Sequence, residues 1–139
     1  MFELDPAFRA TSEALPSLAL CEARLQRDAR FPWIVLIPRL DAVVELEDLS
    51  VEELAMLMSE IVAAGQAVRA IGDALRRPVE KLNVGQLGNI TRQLHVHVVG
   101  RRADDPCWPG PVWGQGTAVG YGPARLAMAR AAAAGVLQG

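Results

Sequence analysis

His95 and His97 are the only two histidines in the chain, and they stand two residues apart in Gln93-Leu94-His95-Val96-His97-Val98-Val99-Gly100. Imidazole changes charge near neutral pH, so it can attack, relay a proton or ligate a metal. Polar and apolar residues alternate here, which is the period of a β-strand. The valines and the closing glycine agree with that period. The pattern predicts a strand over Ile90–Val99, with Gln93, His95 and His97 on one face and Leu94, Val96 and Val98 buried. On such a strand, side chains at i and i+2 stand about 7 Å apart.

Three uses suit this arrangement. Two imidazoles form half of a metal site, but zinc needs a third ligand and often a fourth. Asp104, Asp105 and Cys107 are available, without diagnostic spacing. Alternatively, the pair performs nucleophilic or acid–base work on a phosphate ester. The third use is structural, with both rings satisfied by neighbours on a polar strand face. The preceding Asn83, Gly85, Gly88 and Asn89 bear on the choice. Asn and Gly are ordinary turn residues, but glycine also lets backbone N–H groups approach an anion. Beside two same-face imidazoles, the loop reads as a phosphate cradle next to a nucleophile.

The rest of the chain must position these groups. Asp5-Pro6 is an N-cap followed by a first-turn proline, predicting a helix to about Ala14. Ser17–Gln26 has loose strand character, and Arg27-Asp28-Ala29-Arg30 reads as a turn. Trp33–Ile37 is a short, branched apolar run, predicting a strand buried on both faces. Ser50-Val51-Glu52-Glu53 is a capping box. Behind it Leu54, Leu57, Met58, Ile61, Val62, Val68, Ile71 and Leu75 recur at helical spacing, predicting a long helix that ends before Pro78. Val79–Val84, a short turn and Ile90–Val99 predict an antiparallel hairpin. After Gly100 comes a Pro-, Gly- and Trp-rich segment, where Trp108 and Trp113 could stack on a base or pack a dimer, and a Pro-rich setting favours packing anchors. An Ala-rich helix follows from Ala124 to about Val136. The expected architecture is α+β, with an antiparallel sheet and helices to one side.

With 139 residues, 51% of them hydrophobic, the chain has the size and composition of one folded domain. A net charge of −2 argues against a protein built to grip nucleic acid. Cys21 and Cys107 are too few for a disulfide framework, which suits a reducing compartment. No signal peptide is evident and no apolar run approaches a bilayer span, so a cytoplasmic protein without membrane contact is expected.

The segment Gln93-Leu94-His95-Val96-His97-Val98-Val99 resembles the signature of the histidine triad (HIT) superfamily, His-φ-His-φ-His-φ-φ with φ apolar. Asp28–Arg39 is similar to the family's early strand, which ends in Pro followed by a basic residue. The capping-box helix, Leu82-Asn83-Val84-Gly85 and Gly88-Asn89 follow in the family's order. The resemblance covers about residues 15–102, leaving 103–139 as a Pro/Trp-rich segment and terminal helix of the same domain. Trp108–Gly114 resembles the tail of a bacterial branch carrying Gln-Leu-His-φ-His, similar to diadenosine tetraphosphate hydrolases.

The resemblance implies a sheet of about five strands with one long helix and shorter terminal helices, assembled as a homodimer. It also implies a hydrolase or transferase acting at the α-phosphate of a dinucleoside polyphosphate or nucleoside phosphoramidate. His95 takes the place of the nucleophile that forms a nucleotidyl-histidine, and His97 that of the residue contacting the phosphate and assisting the leaving group. Gln93 replaces the first triad histidine. Asn83, Gly88 and Asn89 fall near sugar- and phosphate-binding positions, while Asp28 and Arg27 fall near the ribose contact. No metal or cofactor is needed for the covalent step, although a divalent ion can accompany the substrate. The alternatives are a nucleotide-binding module without turnover and, behind it, an H-x-H metalloenzyme.

Overall fold

The computed structural model describes every residue from Met1 to Gly139. Helix α1 (Pro6–Thr11) leads into strand β1 (Ser12–Ala14), followed by β2 (Cys21–Gln26) and β3 (Trp33–Pro38). A single 3-10 turn, Leu46–Asp48, precedes helix α2 (Val51–Ala74). Strands β4 (Lys81–Gly85) and β5 (Val96–Arg101) and helix α3 (Pro123–Leu137) complete the fold. The five strands form one antiparallel sheet in the order β1-β2-β3-β5-β4. This is the α+β architecture expected from the sequence.

Helices α1 and α2 begin where their local chemistry satisfies free N–H groups. Asp5 accepts from the Ala7 N–H at 2.9 Å, with Pro6 in the first turn. Ser50 accepts from the Glu53 N–H at 3.1 Å while the Glu53 carboxylate takes the Ser50 N–H at 2.8 Å. Helix α1 is shorter than expected. Ser12–Ala14 leave it to pair with Arg24–Gln26, because an edge ladder satisfies their backbone better than an unprotected last turn.

The sheet is buried on both sides. On one side Leu25, Ile34, Leu36, Val96 and Val98 pack with Leu57, Val68 and Ile71 of α2 and with Ala129 and Ala133 of α3. The alanines give α3 little apolar area, but their small size lets it lie directly against α2. Gly100 in β5 serves the same closeness, since a Cβ there would stand 2.7 Å from Pro32 and 2.9 Å from Val68. On the other side Trp33, Val35, Ile37 and Val99 pack under Phe8, Phe31 and Val112. This second, smaller core carries the histidines.

Helix α2 has the length and apolar composition of a membrane span, contrary to the expectation that no segment would. Its Leu57, Ala64, Val68 and Ile71 are buried against the sheet, and no membrane span is indicated. Glu60, buried on the same helix, accepts the N–H groups of Leu20 (2.7 Å) and Cys21 (2.9 Å), fixing the start of β2. Burial, followed by the charge and hydrogen bond of Glu60, pushes the Cys21 thiol up. Glu60→Ala should strand both amides and lower stability by about 2–4 kcal/mol, read by urea unfolding.

A further sequence expectation fails in detail. Strand β5 begins at Val96 rather than Ile90, so Gln86–His95 form a loop instead of a short hairpin turn. Gly88 takes φ +81°, and the Leu94 N–H donates to the Val43 carbonyl at 3.0 Å instead of joining a ladder. Alternation in this stretch reflects a loop bound on one side, not a strand.

Candidate active site

His97 lies in β5 opposite Val35 of β3 and Gly85 of β4, whereas His95 lies in the loop just before β5. The two rings nonetheless meet edge to face, with centroids 5.0 Å apart, closer than two side chains of one regular strand. They open into a cavity of about 460 Å³, whose floor also carries Trp33 and whose walls carry the Gly88–Thr91 loop and Trp113.

Hydrogen bonding separates the two imidazoles by role. His95 Nδ1 lies 2.7 Å from the Gln93 carbonyl oxygen. A carbonyl can only accept, so the proton sits on Nδ1 and the Nε2 lone pair is free. Phe8 packs edge-on against this ring at 4.9 Å and holds it in place. His97 has the opposite arrangement. The Trp33 indole N–H donates to His97 Nδ1 at 3.0 Å, so the neutral ring carries its proton on Nε2.

The rings of Trp33 and Trp113 flank His97 with centroids at 5.6 and 5.7 Å. Burial, and secondarily the proximity of His95, pushes the His97 pKa down to about 4. His97 should therefore stay neutral from pH 8 to 5 and take a proton only near pH 4, read from its ring resonances in an NMR titration. The sign for stability follows. Between about pH 6.5 and 4 the unfolded chain binds a proton that the folded chain refuses, so acidification through that range costs stability.

Of the positions expected to bind a nucleotide, Gly88 and Asn89 line the cavity, together with Thr91 and the fully exposed Ile90. No backbone carbonyl takes the N–H groups of Gly88 to Thr91, leaving a run of donors at the cavity wall. Asp28 also lines the cavity, but its buried carboxylate is already held by Arg30, with contacts of 3.0 Å to Nε and 2.8 Å to Nη2. Arg30 Nη1 then donates to the Gln115 carbonyl at 2.9 Å, tying the Trp-rich segment over the cavity.

The remaining expected residues point elsewhere. Arg27 lies outside the cavity, its Nε on Glu13 (2.7 Å) and its Nη1 on the Ala10 carbonyl (2.8 Å). Asn83 also lies outside, accepting from Arg101 Nη1 at 2.8 Å through Oδ1. The Gln93 side chain turns away from the cavity. Its Oε1 accepts the Asp5 N–H at 2.8 Å and its Nε2 donates to the Glu3 carbonyl at 2.9 Å, anchoring the segment that carries Phe8. Gln93 reaches the site through its backbone carbonyl, which any residue type can offer.

Three contributors escaped the sequence reading: Trp33, Phe8 and Arg30. For Trp33 a signal existed, because an indole N–H in a strand buried on both faces requires an acceptor. The candidate third metal ligands lie apart from the histidines, and no three His, Cys, Asp or Glu side chains converge anywhere. Asp104 pairs with Arg77 and Arg102, and Asp105 with the buried Arg101.

The HIT domain family matches residues 8–104. The chain belongs to this family. Its structure superposes on a histidine triad protein from Sinorhizobium meliloti 1021 with a TM-score of 0.87 and 37% identity, covering 99% of this chain and 98% of that one. A histidine triad protein from Marinobacter aquaeolei VT8 gives 0.88 and 33%, covering 99% and 97%. One from Bradyrhizobium japonicum gives 0.87 and 31%, covering 98% of each chain. No curated protein matches the chain. HIT domain proteins generally bind nucleotides and act as hydrolases or transferases.

Proposed function

We propose that this HIT protein hydrolyses or transfers a nucleotidyl group, with His95 as the nucleophile. One observation carries the reading. The bond from His95 Nδ1–H to the Gln93 carbonyl frees Nε2, at a cavity bordered by unpaired loop N–H groups. Nε2 attacks the α-phosphorus of a nucleotide conjugate and the bond to the leaving group breaks. The ring becomes a nucleotidyl-imidazolium whose Nδ1–H stays on Gln93. Water then attacks phosphorus, loses its proton to solvent and releases the nucleotide, which restores His95. The N–H groups of Gly88 to Thr91 and the Nε2–H of His97 hold the phosphate oxygens as charge develops. The covalent step needs no cofactor, and a divalent ion enters only with the substrate.

The test is to trap the intermediate. Protein mixed with a dinucleoside polyphosphate labelled at the α-phosphate, then quenched, should carry label on His95. No label across a panel of nucleotide conjugates, together with measurable nucleotide affinity, would favour a binding module. That second reading draws on the placement of the Gln93 amide outside the cavity.

The protein acts as a homodimer in this proposal. Val51, Met58 and Val62 on α2 are 79%, 61% and 57% exposed, beside Val84 on edge strand β4 at 52%. Such an apolar face next to an unpaired strand edge suits a second copy. Met58→Glu should shift the sedimentation coefficient from dimer to monomer. Two free cysteines and a net charge of −2 fit a cytoplasmic protein whose partners are nucleotides rather than nucleic acid or membrane.

A further inference from the structure

We propose that Trp33 is a positioning residue that makes His97 a hydrogen-bond donor but not a proton source, restricting the site to leaving groups that depart unprotonated. This rests on the nucleotidyl-transfer reading above and adds its substrate class: phosphoric anhydrides rather than phosphoramidates.

Trp33 Nε1–H can only donate, and it donates to His97 Nδ1 at 3.0 Å. Protonating Nδ1 would set two N–H groups against each other in a site walled by Trp33 and Trp113. During reaction the nearest titratable neighbour, His95, is itself cationic at a centroid distance of 5.0 Å, which further disfavours a second positive ring. His97 therefore meets the leaving group as the neutral Nε2–H tautomer. Giving up that proton would produce an imidazolate, far too basic a species at neutral pH. His97 can stabilise charge, but it cannot act as an acid.

No other lining group replaces it. Asp28 is the one carboxylate in the cavity wall, and both of its oxygens are engaged as acceptors by the Arg30 guanidinium, at 3.0 Å from Nε and 2.8 Å from Nη2. The Gln93 amide faces Glu3 and Asp5. In the covalent step the His95 Nε2 lone pair forms the N–P bond while the pair of the breaking bond goes to the departing atom. From an anhydride that atom is a phosphate oxygen, stable as an anion at neutral pH. From a phosphoramidate it is an amine nitrogen, which must acquire a proton that only solvent can supply here.

Nitrogen-15 NMR of the histidine rings and a pair of substrates test this together. In the wild type at pH 7, His97 should show protonated Nε2 and bare Nδ1, with through-hydrogen-bond coupling from Nδ1 to Trp33 Nε1. In Trp33→Phe the coupling vanishes, and the ring should mix tautomers and titrate at a higher pH. The turnover ratio of a nucleoside phosphoramidate to an anhydride of the same nucleoside should rise by roughly ten-fold or more, because His97 becomes able to protonate. A merely structural role for Trp33 would lower both activities and leave the ratio unchanged, which overturns the proposal. A wild-type His97 protonated on Nδ1 overturns it without any variant, so a misfolded Trp33→Phe protein does not shield it. If the wild type turns over neither substrate, the nucleotidyl-transfer reading and the leaving-group rule both fall. The wild-type spectrum would still judge the hold of Trp33 on His97.

Discussion

Replacing His95 with alanine is expected to abolish nucleotidyl turnover, by a factor on the order of 10⁴ or more, while nucleotide affinity stays within a few-fold. The asymmetry follows from what the ring contributes. The Gly88–Thr91 N–H groups and Asp28–Arg30 remain in the variant, so the cavity still presents its polar groups. What disappears is the Nε2 lone pair, for which no other lining side chain substitutes. His95→Asn is the sharper comparison, because its amide keeps polarity at the position without an attacking nitrogen. Single-turnover kinetics and equilibrium dialysis of the same preparations separate the two effects. Parallel loss of binding and turnover would instead assign His95 to holding the cavity open, consistent with its contact to Phe8.

The largest effect on stability is expected at Asp105. Its carboxylate receives Arg101 Nε at 2.8 Å and Nη2 at 3.1 Å, and also the N–H groups of Arg102, Cys107 and Trp108. Both side chains are essentially buried, at 1% and 3% exposure. Asp105→Ala would leave the Arg101 guanidinium uncompensated between Phe31 and Trp108, at a cost of about 3–5 kcal/mol. For a chain this size that is a fall in Tm of roughly 10 °C or more, measurable by calorimetry. Burial by itself raises the Asp105 pKa, but Arg101 and the surrounding N–H donors outweigh it and hold it at about 2. Because the folded pKa lies below the unfolded one, its stabilisation is complete above about pH 4 and is lost as pH falls toward 2. The wild type should therefore lose stability in two stages on acidification, first through the His97 range and then through that of Asp105. Asp105→Ala should lack the second stage.

Gln93, which the sequence resemblance aligns with a triad histidine, spends its amide on the N-terminal segment, which in turn presses Phe8 against His95. The chain thus orients His95, the proposed nucleophile, with a backbone carbonyl and a packed ring, and orients His97 with a tryptophan. Phosphoryl transfer fits such an arrangement, since it depends on positioning and fixed dipoles more than on several titrating groups.

The sequence by itself determined what local chemistry decides. Ser50 and Glu53 set the start of α2, the branched run Trp33–Ile37 made a buried strand, and Pro6 opened α1. The histidine pair and the Gly88-Asn89 loop were legible as a site because residue type and spacing limit their use. Tertiary structure decided everything that depends on which direction a side chain takes between distant elements. Alternation in Gln93–His97 suggested one strand face, but the polypeptide leaves the ladder before Val96, so the Gln93 amide meets Glu3 while His95 and His97 converge. Asn83 and Arg27 lie near the site in sequence, yet they satisfy Arg101 and Glu13. The tautomers of both histidines were settled last, because a proton goes where the nearest fixed donor or acceptor allows. Those partners are a carbonyl two residues away and an indole on a neighbouring strand 64 positions earlier.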